Sequence, residues 1–398
     1  MAARRKQTAE RRKQPAPGAA PGVAGEAARL PAVVPLAPYP IETLVPEARQ
    51  QTPAVGQRAT RPDGRLHGLG QTRYIDDLAF PGMLHARIKR AGVASARIIR
   101  VDTSAAETMP GVMAVVTGRD IPVNSFGPSL QDQPVLASER VFHAGDGVAA
   151  VAAVTEQIAN EALDKIRVEY APLPAVFDPL EAIRDDAPRV HPPASNIYAS
   201  KVIRKGDVER GLAAADRVFE GRFRTQMVEH VPLEPHAAIA EWDPNGRVTI
   251  WCTIGRITLA RADISRTLQL PLNRIRMIGT IVGGNFGGKN EITQEPVLAL
   301  LSKQTGRPVK GVYTRGEEFT ATTTRHPVVM DYKTGVTRQG KIVARKVRLV
   351  LDGGAYCSWS ETTLGKAAIL SAGPYNIENL HVEAHVVYTN KTMTGAMR

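Results

Sequence analysis

The stretch Gly283-Gly284-Asn285-Phe286-Gly287-Gly288-Lys289 has the clearest capacity for chemistry in the chain. Four glycines in seven residues interrupt helix and strand, permit positive φ, and let a ligand come close to bare backbone. An apolar run from Ile275 to Val282 leads in as a predicted strand. A helix is expected from about Thr293 to Thr305, starting near Glu295 with Pro296 in its first turn, stopped by Gly306 with Pro308 beyond. Strand, loop and helix N-terminus form a concavity into which several backbone N–H groups can point, which suits an anion. A tight, merely packed turn is the bland alternative. A nucleotide phosphate loop does not fit, because neither G-x-x-x-x-G-K-[ST] nor G-x-G-x-x-G with a later acid is present.

Other groups offer less. His230, Glu234 and His236 suggest a metal site by type. Their order lacks the helical H-E-x-x-H spacing, and Pro232 and Pro235 forbid a regular helix, so a structural role is expected. Ser358 and Ser360 lie outside any G-x-S-x-G elbow, and no carboxylate pair stands out. Cys252 and Cys357 are too few for a disulfide framework or a four-ligand iron–sulfur cluster. The chain therefore reads as neither a hydrolase nor an enzyme with its own catalytic side chains. It reads as a cradle for a cofactor that brings the chemistry.

The elements that would position this cradle follow in order. Residues 1–57 read as a disordered tail rich in Ala, Pro and charge. Six of the first fourteen residues are basic against Glu10 alone, so the tail holds much of the net charge of +12. Without interleaved aromatics, nucleic-acid binding there is disfavoured. Residues 58–178 predict a small α/β domain. Strands are expected near 84–88, 97–102, 112–116, 148–154 and 168–170, with a helix capped by Thr155. Asp76-Asp77 is expected to cap a turn. Residues 179–205 read as a connector, and residues 206–398 as a second domain of strands and helices. No apolar run approaches the length of a membrane span, and the basic N-terminus lacks a hydrophobic signal core, so a cytoplasmic protein is expected.

The glycine loop resembles the G-G-G-F-G-G-K loop of the molybdopterin-binding large subunit of the xanthine dehydrogenase and aldehyde oxidase family. The likeness continues through Gly306-Arg307-Pro308-Val309-Lys310, Thr314-Arg315-Gly316-Glu317-Glu318, Arg325-His326-Pro327, Asp331-Tyr332-Lys333-Thr334-Gly335, Asp352-Gly353-Gly354-Ala355-Tyr356 and Gly395-Ala396-Met397-Arg398. Gly70, Tyr74, Asp76, Asp77, Tyr170, Leu173 and Pro174 match the preceding small domain. The resemblance implies an α+β chain: a hammerhead-like α/β domain, then the first half of a molybdopterin-binding domain. It implies a molybdenum–molybdopterin cofactor, in bacteria usually the cytosine dinucleotide. The cofactor would be bound at Gly283, Gly284, Phe286, Gly287, Gly288 and Arg398, with the metal held through the pterin rather than by protein ligands. It implies oxidation of a heteroaromatic or aldehyde with water-derived oxygen, and [2Fe-2S] and FAD centres on partner subunits.

Departures from the family pattern set further expectations. Asn285 replaces a glycine and is expected to keep a left-handed backbone. Ile254 stands where many relatives carry a glutamine that bonds the metal's oxo group. Asn290 stands where some carry a glutamate that meets substrate. The sequence ends at Arg398, where the family continues into the half that holds the catalytic glutamate. A second molybdopterin-domain polypeptide is therefore expected to complete the site, with a truncated, non-catalytic remnant as the alternative.

Overall fold

The computed structural model describes Gly56 and residues 60–398. The tail at 1–57, Gly56 apart, lies outside the described residues. Residues 60–68 belong to the first of two compact units. They carry a short helix, Gly64–Gly68, beside which Asp63 accepts from Arg61. The second unit runs from Leu69 to Arg398.

Its first strands are β1 (Leu84–Arg90), β2 (Ala96–Asp102), β3 (Val112–Thr117), β4 (Arg140–Val141), β5 (Gly147–Ala153) and β6 (Arg167–Pro172). They are followed by β7 (Ile197–Lys205), β8 (Arg217–Arg224), β9 (Ala237–Trp242), β10 (Val248–Cys252), β11 (Ile275–Gly279) and β12 (Val309–Val312). The last are β13 (Thr324–Arg325), β14 (Val328–Val336), β15 (Ile342–Gly354), β16 (Asn379–Tyr388) and β17 (Thr394–Gly395). The largest sheet has seven strands in the order β11-β10-β9-β12-β1-β5-β3. A five-stranded sheet, β7-β16-β15-β14-β8, and a three-stranded one, β4-β2-β6, complete the frame with the short β13-β17 pair.

The large sheet draws strands from both sides of residues 179–205, because β1 pairs in parallel with β12, Leu84 opposite Val309. Between β1 and β3, β5 is covered on both faces, and its Val148–Ala153 run is wholly buried, as a continuous apolar strand requires. Helices Ile257–Thr267 and Glu295–Thr305 lie over this sheet and share its core with Ile250, Ile264, Leu298 and Leu301. Thr155 caps the helix Glu156–Lys165 by accepting from Ile158 N at 3.2 Å. Gly306, at φ +65, ends the helix Glu295–Thr305, whose first turn holds Pro296. Residues 179–205 contain the helix Pro179–Ala182 and the edge strand β7. Lys201, Arg204 and Lys205 on β7 are exposed, so a polar edge masked the strand's periodicity.

Candidate functional site

Four strand ends meet at one edge of the large sheet. β10 is parallel to β11 and antiparallel to β9, which is antiparallel to β12. The carboxyl ends of β10, β11 and β12 therefore adjoin the amino end of β9, the edge at which open α/β sheets hold ligands. β11 ends at Gly279, three residues before the expected Val282, since Thr280 N turns to the carbonyl of Cys252 at 3.3 Å. The glycine loop follows.

Positive φ falls at Gly284 (+109), Phe286 (+52) and Gly287 (+106). Asn285 is not left-handed, contrary to expectation. Its side chain shapes the loop instead. Oδ1 accepts from Gly287 N and Lys289 N, both at 3.0 Å, and Nδ2 donates to the Lys289 carbonyl at 3.4 Å. Asparagine here works as an Asx turn, giving the backbone a local acceptor. Phe286 takes the strained conformation, with its side chain about half exposed at 52%.

A Cβ would clash at Gly283 and Gly287 and be tightly crowded at Gly284 and Gly288. A Cβ at Gly283 would lie 2.5 Å from Glu234 Cβ, one at Gly284 3.2 Å from Pro232 Cβ, one at Gly287 2.4 Å from the Ala396 carbonyl oxygen, and one at Gly288 3.0 Å from the His230 ring. The loop is so held open by neighbouring protein before any ligand approaches.

Those neighbours include the His-Glu-His cluster, which disperses to three separate tasks. Glu234 accepts from Gly283 N at 2.7 Å and from the buried Lys289 ammonium at 3.1 Å, and its carbonyl also takes Lys289 Nζ at 2.6 Å. Burial pulls the Lys289 pKa down, opposed by Glu234. His236 Nδ1 pairs with Glu318 at 2.9 Å while its Nε2 lies 3.3 Å from the Gly288 carbonyl. Burial alone would raise the Glu318 carboxyl, but hydrogen bonding to His236 holds it below its ordinary value. His230 Nε2 bonds the Ala396 carbonyl at 2.8 Å. Among the described residues, no three His, Cys, Asp or Glu side chains are grouped to hold a metal ion. Asp77 caps Tyr74 N at 2.9 Å as expected.

The terminal segment closes on the loop. β13 pairs with β17, Arg325 opposite Gly395, and beyond it Arg398 N donates to the Phe286 carbonyl at 2.9 Å. Gly283, Gly284, Phe286, Gly287, Gly288 and Arg398 are thus gathered in one place, with the Arg398 side chain exposed. Gly283, Gly287 and Gly288 amides have protein acceptors. The consecutive amides of Gly284, Asn285 and Phe286 have none among the described residues.

Sequence reasoning missed four members of this neighbourhood. Lys289 and Glu318 stood only as motif letters, and nothing linked them to Glu234 and His236 across the fold. Arg315 Nη2 anchors the Pro232 carbonyl at 2.6 Å. Glu291, two residues past Lys289, is buried and accepts a hydrogen bond from Ser358 Oγ. A charged residue on an apolar helix approach was the only available signal for Glu291.

Two family models match the chain. Residues 190–398 match the molybdopterin cofactor-binding domain. Residues 69–174 match the a/b hammerhead domain of aldehyde oxidase and xanthine dehydrogenase. A nicotinate dehydrogenase large molybdopterin subunit from Eubacterium barkeri is 35% identical over 345 residues, covering 86% of this chain and 81% of that one. The chain belongs to the molybdopterin-binding large-subunit family of xanthine dehydrogenase and aldehyde oxidase. A probable xanthine dehydrogenase subunit from Bacillus subtilis (strain 168) is 39% identical over 339 residues, covering 85% of this chain and 45% of its own. Aldehyde oxidoreductase from Desulfovibrio gigas superposes with a TM-score of 0.83 at 30% identity, over 86% of this chain and 39% of that one. The chain thus spans less than half the length of several family members. Within the family frame, Ile254 is 2% exposed and packs in the large sheet's core. Its hydrocarbon side chain presents no hydrogen-bond donor there.

Proposed function

We propose that this chain supplies the glycine-loop half of a molybdenum hydroxylase site, binding the pterin-held metal at Gly283, Gly284, Phe286, Gly287, Gly288 and Arg398. The observation that carries the reading is the run of three amides, Gly284 to Phe286, that no acceptor among the described residues takes. They lie in a loop that other contacts hold open, beside Arg398, whose main-chain N–H donates to the Phe286 carbonyl. Successive free N–H groups around left-handed residues form a nest for an anionic oxygen, and a guanidinium adds a charged, planar donor set. The residues present therefore fit an anionic pterin cofactor. When bound, that cofactor supplies two-electron oxidation of a substrate carbon with water-derived oxygen.

The chain's own part is positional. Glu234, Lys289, His236 and Glu318 fix the loop, the free amides and Arg398 orient the cofactor, and half-exposed Phe286 shields it from water on one side. Xanthine and nicotinate in the relatives' names favour a heteroaromatic substrate, with an aldehyde as the other class. The cofactor form is the cytosine dinucleotide. The catalytic base, [2Fe-2S] and FAD reside on partner polypeptides in a cytoplasmic assembly, and the chain alone is inactive. The buried Ile254 favours a second reading, a non-catalytic remnant that only binds a partner.

The test is to purify the chain from its native host with whatever polypeptides accompany it, and to measure molybdenum and oxidised-pterin fluorescence per chain. Stoichiometric metal and pterin are expected. Turnover by a complex without molybdenum would overturn the first reading, and a metal-free, inert complex would favour the second.

A further inference from the structure

Among the described residues, three of the four non-glycine residues at positive φ lie in or beside the glycine-loop neighbourhood: Val231 at +46, Phe286 at +52 and Ser358 at +45. Pro232, next to Val231, approaches Gly284, and Phe286 is in the loop itself. Ser358 belongs to no motif with an assigned task, yet it holds a conformation that persists only where surroundings over-determine it. What it does there is donate its hydroxyl to Glu291 Oε1.

Glu291 sits just past the loop's closing residue. Lys289 ends the loop by donating its amide to Asn285 and accepting from Gly255 N at 2.7 Å. On the other side, Trp359 lies under the Arg256 guanidinium at 4.3 Å. Segments 254–256, 285–291 and 357–359 therefore converge. Glu291 is 9% exposed. Its Oε1 is taken by Ser358, whereas Oε2 has no partner among the described residues and is not sealed from solvent. Trp359 Nε1, on the residue after Ser358, is a buried donor with no acceptor among the described residues. A carboxyl with one oxygen pinned and the other without a partner among the described residues is free to meet something not made of this chain.

We propose that Glu291, oriented by Ser358, is a proton-holding residue of the glycine-loop site, giving a proton to or taking one from a polar ligand seated against the loop. The transfer is simple in balance. A ligand N–H or O–H loses its proton to Oε2, the carboxylate becomes a neutral acid, and the negative charge passes to the ligand, within the field of the free loop amides. The reverse step restores the carboxylate. Three things act on Glu291: burial, the Ser358 hydroxyl, and the carboxylates of Asp263, from the helix Ile257–Thr267, and Asp132, from the segment before β4. Burial is the largest and pushes the carboxyl up to about 7, with the two acids adding to the shift and Ser358 opposing it. Both protonation states are then populated near neutral pH, the condition for efficient proton exchange.

This inference rests on the proposed cofactor site for its ligand, but not for its first measurement. Infrared difference spectra of the purified full chain between pH 5 and 9 read the C=O band of protonated carboxyls directly. A band titrating near pH 7 is expected in the native chain, and Glu291→Gln should remove one carboxyl's intensity from it. Ser358→Ala removes the donor that favours the ionised form, and moves the midpoint upward by about one unit. Native carboxyls that are all ionised by pH 6, or a band of undiminished intensity in Glu291→Gln, would overturn the proposal. In the molybdenum-loaded complex, the limb of the kcat–pH profile near 7 is expected to shift with Ser358→Ala and vanish in Glu291→Gln. A profile unmoved in both variants, at unchanged molybdenum content, would mean a purely structural pair and sink the assignment. A chain without molybdenum would refute the cofactor reading alone, because the infrared result stands apart from it.

Discussion

Replacing Glu234 by alanine removes one side chain that performs two tasks. Its carboxylate accepts from Gly283 N at 2.7 Å and pairs with Lys289 Nζ at 3.1 Å. The Lys289 side chain is 0% exposed and that of Glu234 8%. In Glu234→Ala the ammonium keeps the carbonyl of residue 234, at 2.6 Å in the native chain, and its charge is left buried with no directly paired carboxylate, only the field of Glu318. Breaking such a pair from one side costs about 3–5 kcal/mol. That is a large share of a typical stability of about 5–15 kcal/mol. The orphaned Gly283 amide falls within the same loss. Glu234→Gln keeps an acceptor for Gly283 but loses the charge, and is expected to cost roughly half as much. Lys289→Met in the Glu234→Ala background removes the stranded charge and is expected to recover about 2 kcal/mol or more of coupling. Urea unfolding with an unchanged slope reads these values, and hydrogen exchange at the glycine-loop amides reports whether the loop opens first. If Glu234→Ala, Glu234→Gln and the double variant agree within about 0.5 kcal/mol, the pair does not hold the loop and the clamp is wrong.

Gly287→Ala places a Cβ 2.4 Å from the Ala396 carbonyl at φ +106. It should cost more than about 2 kcal/mol and loosen the terminal segment, as limited proteolysis near Arg398 would show. Gly365, within the helix Ser360–Leu370 with nothing near its missing Cβ, is the contrasting site. There alanine should stabilise by about 0.5–1 kcal/mol in urea unfolding. His326 is buried, its Nε2 is 2.7 Å from Ser360 Oγ, and burial depresses its pKa from 6.5 to about 4. The unfolded chain therefore binds the extra proton first. Stability is full above pH 6.5 and falls as pH drops toward 4, by about 3 kcal/mol. A His326→Gln variant should lack this acid limb in pH-dependent unfolding. Glu291 acts in the opposite sense: its raised pKa makes stability fall as pH rises from about 4.5 to 7. Other shifted groups also shape the native curve, and the single variants isolate these two contributions.

How legible this site was depended on sequence distance. The α+β fold, the strand run 84–172 and the helix Glu295–Thr305 followed from local patterns: alternation, a Thr155 cap, and a Pro296 start with a Gly306 stop. Strand β7 was hidden because its exposed edge carries Lys and Arg where a buried strand would alternate. The loop's glycines announced themselves, but the reason for them did not. Gly283 meets Glu234, Gly288 meets His230, and Gly287 meets Ala396, contacts spanning from about fifty to more than a hundred residues that no local spacing encodes. The same holds for Lys289, whose partner precedes it by 55 positions. Asn285 was read through its tolerance of left-handed backbone. The structure uses its carbonyl instead, because an Asx turn fixes two amides at once while the following residue absorbs the strain.

That pattern bears on how the loop works. Had the glycines been empty space kept for a ligand, small side chains would be tolerated until the ligand arrived. Instead the positions at which a Cβ is excluded are filled from behind by Glu234, His230, Pro232 and Ala396. The amides without acceptors among the described residues lie among them at Gly284, Asn285 and Phe286. The cost of ordering this loop is thus met during folding, through a buried ion pair and two histidine contacts, and not at binding. On the proposed cofactor reading, the affinity of this loop should depend on Glu234 and His236 although neither needs to touch what it holds.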